Sequence, residues 1–251
     1  MPAAPAPAVS APTLPISAPP SPFLACPSPF LACTVRWRPL ARARHVSLRI
    51  DPVAGEVVVV LPPSAGRREG LALLRRHAAW VARELEGLAP RRPFRPGALV
   101  PLGDVPHRLL HRPERPDGRA ELRRGRILVG GAAEALPRRV LELLRAEAAR
   151  RIAPHAGRHA AALAVAPRAI RLKDTRSRWG SCAPDGTLAF SWRLAMAPDW
   201  VLDSVVAHEV AHLAEPNHSP RFWATLDRLA PRHAGARDWL RRHGPGLLRV
   251  G

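Results

Sequence analysis

The sequence predicts an α+β fold. Strand patterns and a single helix occupy the first part of the 251-residue chain, and the second part is helix-rich. Strands and helices do not alternate in the way that builds a parallel α/β sheet. Three stretches are read: a tail over 1–35, a β-rich region with one helix over 36–132, and a helix-rich region over 133–251.

The tail is rich in Ala, Pro and Ser and has no charged side chain, and its Pro20–Cys26 segment is repeated residue for residue as Pro27–Cys33. Such a composition buries too little apolar area to offset its ordering entropy, so the tail is expected to be disordered. From His45 to Ile50 apolar residues alternate, Asp51 to Gly55 has turn chemistry, and Glu56 to Leu61 is continuously apolar, which together predict a hairpin. Ser64 is placed to cap one helix running to about Leu88, with Leu71, Leu74, Ala78, Val81 and Leu85 at helical spacing. Gly103-Asp104 predicts a turn between short strands, and Arg124-Gly125 predicts another within 119–129. Pro137 suits the first turn of a helix striped by Val140, Leu144 and Ala148, which Pro154 is expected to kink or split. Strands near Ala169–Lys173 and Thr187–Leu194 precede helices over Asp199–Ala214 and from Ser219 to Leu229.

Composition narrows the function classes. The formal net charge is +19, from 39 basic and 20 acidic residues, but Lys173 is the only lysine. An arginine excess beside 30 prolines and abundant alanine reads first as coding bias on a solvated surface. It leaves a nucleic-acid partner open, although no stretch interleaves basic and aromatic residues as a single-strand groove does. Cys26, Cys33 and Cys182 make no disulfide framework, no apolar run is long enough to span a membrane, and no basic leader precedes an apolar segment. A cytoplasmic protein is expected, of unknown oligomeric state.

The most informative stretch is His208-Glu209-Val210-Ala211-His212. Residues four apart on a helix lie only about 40° apart around its axis, so both imidazoles point one way. They can then share one Zn²⁺, with Zn–N bonds of about 2.0–2.1 Å. Glu209, one residue along, is placed to take a proton from a water whose pKa the metal lowers. His218 is the expected third ligand. On an unbroken helix it would lie about 240° from His212, but Pro216 ends the helix and lets the chain turn back. Glu215, seven residues after His208, is the rival for that position. The plain alternative is a hydrogen-bonded polar cluster without metal, inside a helix buried through Val201, Leu202, Val205, Val206, Val210 and Leu213.

Several blocks in order resemble the YgjP-type bacterial zinc metallopeptidases, relatives of the SprT-like and Wss-like proteases. They are Arg176-Ser177-Arg178-Trp179-Gly180-Ser181-Cys182, Phe190-Ser191-Trp192-Arg193-Leu194 with Pro198, Val205-Val206-Ala207, and Glu215 to Trp223 around His218. Trp80 and Leu102-Gly103 agree with the N-terminal part, whereas Ser191 and Val210 stand where asparagine and leucine are common in the family. The resemblance implies a zincin-like catalytic half, a metal-helix beside a small antiparallel sheet, preceded by a small β-rich half. It implies zinc on His208, His212 and His218, catalysis by Glu209, a peptide or protein substrate, and a DNA-associated protease as an alternative. A non-catalytic zinc-stabilised module is the third reading.

Thr187–Leu194 is expected as an edge strand able to hold an extended peptide. Trp179, Cys182 and Trp192 are expected in the core, with Cys182 a lesser candidate for a metal. Because the chain has no tyrosine, a developing oxyanion must be met by another side chain, a backbone N–H or the zinc alone, with Arg176, Arg178 and His233 the candidate side chains.

Overall fold

The computed structural model describes residues 23–25, 33–115 and 118–251; most of the expected tail, Cys26 included, lies outside the described residues. The chain forms two compact units. One comprises the described part of Met1–Arg49 with Val57–Ala78, and the other comprises Ile50–Glu56 with Ala79–Gly251.

The first sheet has strand order β1-β2-β4-β3, formed by β1 (Phe23–Ala25), β2 (Thr34–Pro39), β3 (Ser47–Asp51) and β4 (Glu56–Leu61). β1 falls within the stretch expected to be disordered and runs antiparallel to β2, with Leu24 opposite Val35. Its pairing runs through the main chain, which the composition argument leaves out. β2 lies parallel to β4, so β4 is an inner strand and its run of valines is buried. Helix α1 (Arg67–Arg76) is capped at Gly66, not Ser64: the Gly66 N–H donates to Glu69 Oε2 at 2.9 Å. A Cβ on Gly70 would stand 2.6 Å from Trp37, so glycine is what lets α1 approach the sheet. The single helix expected to Leu88 is two, because the chain breaks at His77 before α2 (Ala78–Glu86), and no proline or glycine announces the break.

The second unit begins with a sheet of order β5-β6-β8-β7, from β5 (Leu99–Leu102), β6 (Val105–Arg112), β7 (Ala120–Arg123) and β8 (Arg126–Gly130). Both expected turns form, with positive φ at Gly103 and Asp104 and at Arg124 and Gly125, the backbone of two-residue hairpins. Helix α3 (Leu136–Ala162) is continuous through Pro154 and does not split there. Val140, Leu144 and Ile152 are fully buried along it. At about 1.5–3 kcal/mol each, their burial exceeds the ~3 kcal/mol cost of an interior proline.

The second sheet of this unit has order β10-β11-β9, from β9 (Ala169–Lys173), β10 (Gly180–Cys182) and β11 (Thr187–Ser191). It is mixed where an antiparallel sheet was expected: β11 runs antiparallel to β10 and parallel to β9. β11 is therefore the middle strand, and the expected edge strand is β10 instead. Strand geometry also ends at Ser191, because Trp192–Met196 forms a buried 3-10 turn. Carbonyls of that turn accept from Gly103 N–H at 2.8 Å and Asp104 N–H at 2.9 Å. Arg193 is buried there, stacked 4.2 Å from the Trp192 ring and paired with Asp174.

Helices α4 (Asp199–Ala214), α5 (Pro220–Leu229) and α6 (His233–Leu248) close the unit. The core joins the stripe of α3 to Val201, Leu202, Val206 and Val210 of α4, with Phe190 and Trp192 between. Trp192 is fully buried as expected, and Trp179 and Cys182 pack at the core's margin. Among the described residues, no helix is long and apolar enough to cross a membrane.

Candidate metal centre

α4 brings His208 and His212 to one face, with ring centroids 5.0 Å apart. The helix ends where Pro216 predicts. Glu215 is extended, and its N–H still bonds the Ala211 carbonyl at 2.9 Å. The chain then reverses and carries His218 back, its Nε2 3.1 Å from His208 Nε2. One ring nitrogen from each of the three histidines lies within 4.8 Å of the others. Ser219 accepts from the Phe222 N–H at 3.3 Å and starts α5.

α5 supplies a wall that sequence reading did not foresee. Phe222 stacks on His212 at 4.5 Å, Trp223 stacks on His218 at 5.6 Å, and Phe222 meets His208 edge-on at 5.0 Å. The Glu215 side chain is outside the histidine group, but its carbonyl lies 3.2 Å from His212 Nδ1. A proton shared there leaves the Nε2 lone pair free to face the other imidazoles.

Burial, then the neighbouring His212, His218 and His233, lowers the His208 pKa to about 4. Burial likewise lowers His212, partly opposed by the Glu215 carbonyl. Neutral imidazoles with free lone pairs are the form that binds metal. Glu209 moves the other way. Burial raises its pKa to about 7, against the pull of Arg178 and the Cys182 backbone N–H. Gly180 makes room for it, since a Cβ there would stand 2.5 Å from Glu209 Oε1.

Two clefts meet at this point. One of about 440 Å³ is walled by Trp179, Val205, Leu226 and Leu240, and another of about 890 Å³ by Ser181, Cys182, Pro216 and His218. Arg178, Gly180, His208 and Glu209 line both. Of the candidate oxyanion donors, Arg178 and His233 line the first cleft, with His233 held by Asp227 at 2.8 Å. Arg176 is tied instead to the buried Asp51. The Cys182 thiol is held up by burial, then by Glu209 and Asp185, and it stands outside the histidine group.

A second cluster of metal-ligand types, His155, His159 and Asp203, lies between α3 and α4. Its carboxylate already takes contacts from His159 Nε2 and from Arg158, both at 2.6 Å, and it reads as a polar clasp between the helices.

The YgjP-like metallopeptidase domain model matches residues 44–243, a span that holds the histidine triad, Glu209 and both clefts. No curated protein and no solved structure matches the chain. With most of its length accounted for by that model, this chain belongs to the YgjP-like metallopeptidase family.

Proposed function

We propose that the protein is a zinc-dependent peptidase with a zincin-like catalytic half, in which His208, His212 and His218 hold the ion and Glu209 is the general base. The observation that carries this reading is the convergence of three imidazoles on one point, with a carboxylate one residue along α4. The donor set suits Zn²⁺, which takes three protein ligands and keeps an open position in catalytic sites. When bound, zinc supplies Lewis acidity, acidifying water and polarising a peptide carbonyl.

The remaining chemistry belongs to the chain. The Glu209 carboxylate removes the proton of the attacking water and returns it to the departing amide nitrogen. A pKa raised to about 7 by burial makes it a stronger base than an exposed glutamate. Arg178 and His233, which line the same cleft as His208 and Glu209, are the side chains we assign to a developing oxyanion. The outer edge of β10, which pairs only with β11 among the described residues, offers main-chain groups to an extended peptide. Glu209→Gln tests the assignment. The variant should retain zinc and lose peptide hydrolysis by roughly 10²–10⁴-fold; cleavage at the wild-type rate would refute it.

A further inference from the structure

The cleft of about 440 Å³ has a character the reaction itself does not require. Trp179, Leu226, Ala236 and Leu240 give it apolar walls, and it opens beside His208 and Glu209. Ala236 is nearly fully buried, and so small a side chain on α6 leaves depth where a larger one would close the cavity. Arginines also line it: Arg178, Arg237 and Arg241, all exposed. Arg241 is partnered by Asp238 at 3.3 Å and Arg178 acts on the Glu209 carboxylate, whereas Arg237 stands in no ion pair among the described residues. The cleft on the other side of Glu209 mixes polar groups, Ser177 and Ser181, with apolar ones, Leu213 and Pro216. A peptide crossing the site therefore meets two unlike surfaces.

We infer that the α6-lined cavity is a specificity pocket for a large apolar residue beside the scissile bond, and that Arg237 selects substrates with acidic residues next to it. The inference deepens the peptidase reading and rests on it. An apolar side chain that fills the cavity leaves water, which no interaction with Ala236 or Leu240 achieves when the occupant is small. A neighbouring Asp or Glu meets the Arg237 guanidinium and so gains in both encounter rate and affinity.

Binding separates the pocket from the chemistry. Zinc-loaded Glu209→Gln protein is titrated by fluorescence anisotropy with labelled synthetic peptides carrying Phe or Ala centrally, flanked by Glu or Gln. Phe should bind roughly 10- to 100-fold tighter than Ala. Glu flanks should add about tenfold at low salt, fading as salt is raised. Leu240→Trp, which fills the cavity, should remove the preference for Phe. Arg237→Glu should remove or invert the preference for Glu; it alters an exposed side chain, so its result stands whether or not the filled variant folds. Equal binding of Phe and Ala peptides overturns the pocket, and equal binding of Glu and Gln peptides overturns the arginine rim. A parallel digest of a peptide library by the zinc-loaded wild type reads turnover. If both binding preferences hold and no peptide is cut, the pocket stands and the peptidase reading falls.

Discussion

The ring of Phe222 stacks on the imidazole of His212, centroids 4.5 Å apart and planes 28° from parallel. Phe222 is itself fully buried against Ala207, Ala211 and Leu226, so the packing of α5 on α4 sets the orientation of an imidazole. Stability and the proposed metal site share one side chain.

Phe222→Leu keeps most of the apolar volume but removes the stacked ring. A swap of this kind costs about 1 kcal/mol or somewhat more in stability, while metal affinity should fall by roughly 10-fold or more, as for other groups that orient ligands. Thermal unfolding of the apoprotein beside competition with a chromophoric chelator measures both. Equal losses, or unchanged affinity, would show that the ring only packs.

Gly180→Ala probes the opposite side of the centre. The added Cβ would meet Glu209 Oε1, Cγ and Cδ at 2.5–2.8 Å, so that buried side chain must shift. The fold should survive with its metal bound, because nothing in the core is displaced. Peptide hydrolysis should drop by about 10²-fold, the order expected for a misplacement near 1 Å. Metal content and kcat on the same preparation decide it: wild-type kcat would mean that the base tolerates the shift.

Acid stability should depend on Asp203. Burial raises its pKa, but hydrogen bonding and charge from His159, then His155 and Arg158, outweigh burial and leave it below the ordinary carboxylate value. A depressed folded-state pKa stabilises the fold above the unfolded value of about 3.9. That contribution is lost as pH falls through the lower folded value. Asp203→Ala also leaves the buried His159 without its acceptor at 2.6 Å, a loss of about 1–3 kcal/mol near neutrality. Denaturant unfolding from pH 3 to 7 should show the wild type's advantage over the variant shrinking below about pH 4. An advantage constant with pH would assign the loss to packing alone.

What could be read in advance follows from how local each cause is. Two-residue turns at Gly103-Asp104 and Arg124-Gly125 depend on their own backbone, and both formed. His208, His212 and the reversal after Pro216 are likewise set by spacing and one proline, and the structure brings His218 to 3.1 Å from His208. Features settled by distant partners were not legible. Pro154 signals a helix break, but buried neighbours on both sides carry α3 through it. Gly235, Gly244 and Pro245 hide α6. Gly244 is there because a Cβ would come 2.8 Å from Trp179, a contact between residues far apart in the chain. Missing α6 meant missing the apolar cleft it lines. β10 spans only three residues, too short to show alternation, so β11 reads as the edge in the sequence.

Zinc K-edge X-ray absorption of the protein loaded with one equivalent of zinc tests the central claim most directly. Three imidazole nitrogens and one oxygen at about 2.0–2.1 Å are predicted, with His218→Ala losing one of the three imidazole contributions. A sulfur at about 2.3 Å, which would bring in Cys182, or a spectrum that His218→Ala leaves unaltered, would contradict it.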